Sequence, residues 1–239
     1  MPKEGVPLLK HEDILSYEEI AEIVRYAVSQ GVNKVRLTGG EPLIRRNIIT
    51  LVKMISEIEG VQDFSMTTNG VLLENYATEL AESGLHRVNV SLDSLNSEKF
   101  QKITRFGDVN TVIRGIYKAD EAGLSPIKIN MVLSQWTTEN DKDELREFCS
   151  KYGYELRFIR QMNLAEGEFS IVEGGHGGDC KNCNRLRLTA DGKLKPCLFS
   201  NQSYDVREMG IEKALGKALA NKPSSGTKND TCNFHSIGG

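Results

Sequence analysis

The sequence contains no apolar run long enough to cross a bilayer, and its opening, MPKEGVPLLKHEDIL, is too short, mixed and charged for a secretory leader. A membrane span is excluded on that reading, and a cytoplasmic location is expected. A strong net charge is also lacking, since 30 Lys and Arg stand against 33 Asp and Glu for a formal charge of -3. Nucleic acid is therefore not the expected partner, and a preference for anionic ligands has to come from local clusters. Cysteine is scarce: there are five in 239 residues, none before Cys149. A chain of this length buries a core without staples, so in a reducing compartment a close cysteine pair reads as a metal or redox site before a disulfide.

What is present is a β/α rhythm. Ser16 and Glu19 form a capping box ahead of Ile20, Ile23, Val24, Ala27 and Val28, with Gly31 closing that helix. Further helices are predicted over 47–58, 72–83, 109–122, 139–152 and 210–221. Strands are expected at VNKVRLT, DFSMTTNG, RVNVSLD, IKINMVL and ELRFIRQM. Helix-length connections between every pair of strands argue for a parallel sheet, closed or partly closed, over an antiparallel sheet with one wet face. Within the strands, Val35 and Leu37 oppose Lys34, Arg36 and Thr38. Val88, Val90 and Leu92 oppose Asn89, Ser91 and Asp93, and Ile127, Ile129 and Met131 oppose Lys128 and Asn130. A packed barrel fills its interior with branched apolar residues, so the polar face predicts an open lumen holding something charged. Residues 1–162 form the expected barrel portion, and 163–239 a C-terminal extension.

That extension holds Cys180, Cys183 and Cys197. Asp191-Gly192 is a hairpin turn signal, and a register centred on it places Leu186 opposite Cys197 and returns Cys197 to the Cys180/Cys183 pair. Three thiols suit a soft metal, either a [4Fe–4S] cluster or zinc, and leave one coordination position open. A closed zinc site using Cys232 or His235 is the structural alternative. Arg185 and Arg187, on one strand face just after Cys183, match phosphate geometry and shift the balance toward an anion-binding site shared with Lys34, Arg36 and Lys128.

The runs Arg36-Leu37-Thr38-Gly39-Gly40-Glu41-Pro42, Thr67-Thr68-Asn69-Gly70, Asn89-Val90-Ser91-Leu92-Asp93 and Cys183-Asn184-Arg185-Leu186-Arg187-Leu188-Thr189-Ala190-Asp191-Gly192 resemble, in this order, the GTP 3',8-cyclase (molybdenum-cofactor biosynthesis protein A) family of the radical S-adenosylmethionine (SAM) superfamily. The resemblance covers nearly the whole chain. It implies an incomplete (β/α)6 TIM-like barrel in which SAM, cleaved at an N-terminal [4Fe–4S] cluster, yields a radical that converts GTP to 3',8-cyclo-GTP. By the same resemblance Gly39, Gly40, Glu41, Pro42, Ser91 and Met162 form the SAM site, and Lys34, Arg36, Thr67, Lys128, Arg185 and Arg187 bind GTP. Cys180, Cys183 and Cys197 hold a second [4Fe–4S] cluster whose open iron meets the guanine. The final Gly238-Gly239 would enter the active site. Implied partners are an electron donor such as flavodoxin or ferredoxin and a downstream cyclic pyranopterin monophosphate synthase; a homodimer is compatible, and neither nucleic acid nor membrane is expected.

Two departures stand out. The bridge from Met162 to Cys180 is shorter than in the family, and the radical-generating C-x3-C-x2-C motif is missing. Since MPKEGV resembles the residues after that motif, the chain is expected to be an N-terminal truncation lacking the barrel's first strand, with the SAM-cleaving cluster present only if that segment is restored. A peptide-modifying radical SAM maturase, a non-catalytic GTP-binding regulator and a zinc module are the alternative readings.

Overall fold

A computed structural model describes residues 9–105 and 107–230. Strands and helices alternate: α1 (Tyr17–Ser29), β1 (Lys34–Leu37), α2 (Ile48–Ser56), β2 (Asp63–Thr68), α3 (Leu73–Glu82), β3 (Arg87–Ser91), α4 (Ser97–Thr104), α5 (Val109–Glu121), β4 (Lys128–Leu133), α6 (Glu139–Tyr152) and β5 (Glu155–Arg160). All five strands pair in parallel, in the order β1-β2-β3-β4-β5. Strands that add one after another on the same side belong to a sheet curling toward a barrel, whereas a doubly wound sheet reverses its order midway. The sheet does not close among the described residues, in keeping with an incomplete barrel. The capping box is present: the Ser16 hydroxyl accepts from the Glu19 amide at 3.1 Å and the Glu19 carboxylate from the Ser16 amide at 2.6 Å.

Register divides the strand residues between two faces. Lys34 pairs with Asp63, Arg36 with Ser65, Thr67 with Asn89, Ser91 with Asn130 and Asn130 with Arg157. Parallel partners point the same way, so one face carries Lys34, Arg36, Asp63, Ser65, Thr67, Arg87, Asn89, Ser91, Lys128, Asn130, Glu155 and Arg157. The other presents Phe64, Met66, Val88, Val90, Ile129 and Met131 to the helices, all of them fully buried. The expected polar lumen and apolar outer layer are both there.

Beyond β5 the chain turns back. Phe158 and Glu173 exchange backbone hydrogen bonds at 3.0 and 3.1 Å, an antiparallel bridge that covers the sheet's β5 edge. Gly174 makes this possible: its φ is +77° and a Cβ there would lie 2.4 Å from the Leu156 carbonyl oxygen. A three-stranded antiparallel sheet follows, β6 (Arg187–Leu188), β7 (Lys193–Lys195) and β8 (Tyr204–Asp205), then α7 (Val206–Met209) and α8 (Ile211–Ala220). Its core is shared with the barrel side, since Leu15 and Ile23 pack among Leu194, Val206, Ala214, Leu215 and Ala218.

The hairpin forms one residue away from the expected register. Arg187 pairs with Lys195 and Leu188 with Leu194, so the ladder extrapolates to Leu186 level with Pro196 rather than Cys197. The turn is a three-residue loop: Thr189 N donates to Lys193 O, Gly192 N donates to Thr189 O, and Gly192 takes φ +82°. Gly192 thus supplies the left-handed residue after a type I turn instead of the second residue of a two-residue loop. The Thr189 hydroxyl fixes the choice by accepting from the Lys193 amide at 2.9 Å.

Candidate active site

On the lumen face Arg36 and Arg157 lie within electrostatic reach of each other and of Arg87 and Arg185. Arg36 reaches Ser65 Oγ at 3.3 Å, and its pKa is pushed down to about 10, first by burial and then by Arg87, Arg185 and Arg157. Its surface stays open to water although protein surrounds it, as happens for a side chain lining a concave space. Arg157 is likewise held below its ordinary value, by burial first; Glu155 opposes the shift, while Arg87 and Arg185 add to it. Arg87 forks onto Asp63 at 3.0 and 2.8 Å, and Lys128 pairs with Glu155. Five cations of the sheet, Lys34, Arg36, Arg87, Lys128 and Arg157, therefore share two carboxylates, with Arg185 arriving from the hairpin. Like charges crowded this way favour an anionic guest. Two buried polar atoms on this face, Asn130 Oδ1 and Arg157 Nε, have no partner among the described residues.

Arg87 and Arg157 were not anticipated as members of this group. Both carry the lumen parity of their strands, so the period-two pattern that marked Asn89 and Lys128 could have found them. Of the expected residues, Thr67 accepts from Asn89 Nδ2 at 3.3 Å, and Lys34 lies beside Asp63, whose carboxyl stays below its usual value because Arg87, Lys34 and Arg36 outweigh the opposing effect of burial.

The expected SAM residues gather at the carboxyl ends of the strands, where parallel sheets bind ligands. Gly39 and Gly40 are exposed after β1, and Ser91 is exposed at the end of β3. Met162, after β5, packs against Leu164 and Phe199. Glu41 has an internal duty: its carboxylate accepts from the Leu43 amide at 3.1 Å, the Thr68 hydroxyl at 2.7 Å and the Asn69 amide at 2.6 Å. It braces the glycine loop to the end of β2, and the buried Pro42 starts the short 3-10 turn that follows. Asp93 sits nearby with its carboxyl pushed up by burial, partly offset by the Val132 amide.

Cys180, Cys183 and Cys197 are half-buried free thiols, and Cys183 N donates to Cys180 O at 3.2 Å. Arg187 joins them: burial first and Arg185 second lower its pKa, while the Cys183 and Cys197 sulfurs act in the opposite sense. Lys222, unremarked in the sequence, places Nζ 3.7 Å from Cys183 Sγ. Among the described residues no three His, Cys, Asp or Glu side chains converge as ligands of a single ion. An all-thiol, cation-lined donor set fits the cluster. Cys149 is buried, its thiol pushed up to about 12 by burial, as suits an inert core residue. Cys232, His235, Gly238 and Gly239 lie outside the described residues.

The Radical SAM superfamily profile matches residues 4–149, and the Molybdenum Cofactor Synthesis C profile matches 129–228. The GTP 3',8-cyclase of Thermodesulfovibrio yellowstonii is 38% identical over 255 residues, covering 87% of this chain and 79% of the relative. That of Moorella thermoacetica is 37% identical over 277 residues, covering 94% and 86%. Among solved structures, Streptococcus suis SuiB bound to S-adenosylmethionine has a TM-score of 0.66 at 17% identity, covering 88% of this chain and 59% of that one. Native anSMEcpe with bound AdoMet has a TM-score of 0.63 at 15% identity, covering 90% and 74%. These two share the fold.

Proposed function

The chain belongs to the GTP 3',8-cyclase family of radical SAM proteins, which performs the first step of molybdenum cofactor biosynthesis, and from that premise we propose that its cationic lumen is the GTP site of that reaction. The observation that carries the reading is the meeting of Arg36, Arg87, Arg157 and Arg185 over one sheet face. A triphosphate brings several negative charges and planar groups of oxygen acceptors, and guanidinium forks replace its water and counterions. Asp63 and Glu155 keep Arg87, Lys128 and Arg157 oriented until the ligand arrives. The partnerless Asn130 Oδ1 and Arg157 Nε lie on the same face and supply an acceptor and a donor to it.

Family membership implies a [4Fe–4S] cluster and SAM. In our reading Gly39, Gly40, Ser91 and Met162 face SAM, with Glu41 fixing the loop that carries the glycines. Cys180, Cys183 and Cys197 hold the C-terminal cluster beside the GTP site. When bound, cluster and SAM supply one-electron chemistry; the protein's own part is to hold the ribose and base against them and to neutralise the phosphates. A reduced flavodoxin or ferredoxin as electron source, a downstream cyclic pyranopterin monophosphate synthase and a cytoplasmic setting complete the proposal. The peptide-maturase alternative rests on fold likeness alone.

Arg185→Ala tests the site. Losing a charge-assisted bond to phosphate costs about 1.5–3 kcal/mol, so GTP affinity by calorimetry should drop about 10- to 150-fold. An unchanged affinity would remove Arg185 from the site.

A further inference from the structure

We propose that Lys222 is a positioning residue of the three-thiol site, clamping the two chain segments that carry Cys183 and Cys197 and lending positive charge to the Cys183 sulfur. The inference rests on the cluster reading above and extends it to a residue outside every motif of the sequence. An ammonium has three protons and accepts nothing. Here Nζ meets three partners: Arg185 O at 2.7 Å, Pro196 O at 2.9 Å and Cys183 Sγ at 3.7 Å. Arg185 lies just past Cys183, and Pro196 directly precedes Cys197. The β6–β7 ladder ends at Arg187 and Lys195, short of both thiols, so one ammonium joins the hairpin's arms where the ladder has stopped.

The segment after Lys222 continues the clamp. Thr227 N donates to Phe199 O at 3.0 Å and Asn229 Nδ2 to Leu198 O at 3.0 Å, along the residues that follow Cys197. Gly226 lies so near that a Cβ would approach Cys197 Sγ to 3.2 Å. The surrounding charge is positive as well. Arg187 faces Lys195 across the ladder, and Lys195 is only 2% exposed. A [4Fe–4S] core on three thiolates is anionic and becomes more so on accepting an electron, so a cation on one of its sulfurs favours the reduced form.

The test uses the full chain, reconstituted anaerobically with iron and sulfide, as wild type, Lys222→Gln and Lys222→Arg. Lys222→Gln keeps hydrogen-bond donors for the carbonyls but removes the charge. It should lower the cluster's midpoint potential in a mediated dithionite titration and shift the g values of its reduced-state EPR signal, and Lys222→Arg should restore both toward wild type. Loss of iron from a Gln chain whose circular dichroism is native, reversed by Arg, equally supports the clamp. If the Gln chain does not fold, Lys222→Met, which keeps the apolar stem, is measured in its place. Wild-type iron content, potential and g values in the substituted chain overturn the inference alone. A wild-type chain that takes up no iron and sulfide overturns the cluster reading and the inference with it.

Discussion

Glu41 spends its carboxylate on the fold, accepting from the Leu43 amide, the Thr68 hydroxyl and the Asn69 amide. Its three accepted hydrogen bonds, including the one from the Asn69 amide at 2.6 Å, tie the glycine loop to β2. Glu41→Gln exchanges a carboxylate oxygen for an NH2 that has only amide and hydroxyl donors to meet. Unfolding in urea should show a loss of about 1–3 kcal/mol, and SAM affinity should fall with it. Stability equal to wild type would mean the brace is dispensable. Sequence pattern reached Glu41 through its motif but could not show the direction of its carboxylate. Arg87 and Arg157 follow lumen parity and were open to discovery, whereas Lys222 was not: it lies 39 residues from Cys183, and no local pattern joins them.

Strand periodicity made β1 to β5 legible, because each alternates a helix-facing apolar residue with a lumen-facing polar one. Helix α4 was invisible for the converse reason. It is short, buries only Phe100 and is held by the Asn96 side chain accepting from the Lys99 amide at 3.0 Å, so it has no apolar stripe to reveal it. The hairpin was foreseen and its register was not, since Asp-Gly serves both two- and three-residue loops and the deciding bond comes from Thr189. Gly192→Ala probes that turn. The residue's φ of +82° strains any side chain, and the new Cβ would sit 3.2 Å from Leu15 Cδ2. A cost of about 1–2 kcal/mol is expected from chemical denaturation, with weaker retention of iron because the turn sets the spacing of Cys183 and Cys197. No change in either would argue that the turn tolerates another conformation.

Across the whole molecule the first helix and the C-terminal extension are joined by Arg207, which donates to Glu19 at 2.8 and 2.9 Å and to the carbonyls of Glu12 and Ile14 at 2.9 and 3.2 Å. The Glu19 carboxyl is held down to about 2, first by the Arg207 hydrogen bond and then by the Ser16 amide. A carboxyl depressed on folding stabilises above its unfolded value, about 4.3, and that contribution disappears as pH falls toward the folded value. Arg207→Met should therefore lower the urea midpoint at pH 7, and the difference should narrow toward pH 2 to what the bonds to the Glu12 and Ile14 carbonyls contribute. A difference that persists undiminished in acid would assign the effect to packing rather than to the ion pair.

If GTP and a C-terminal cluster occupy neighbouring places in one site, as proposed, EPR of the dithionite-reduced, iron–sulfide-reconstituted chain with and without nucleotide should register that adjacency. About four irons per chain are expected, held by Cys180, Cys183 and Cys197, with a cluster signal whose g values shift on adding GTP but not ATP. Stoichiometric zinc without sulfide, or a cluster signal indifferent to GTP, would contradict the proposal.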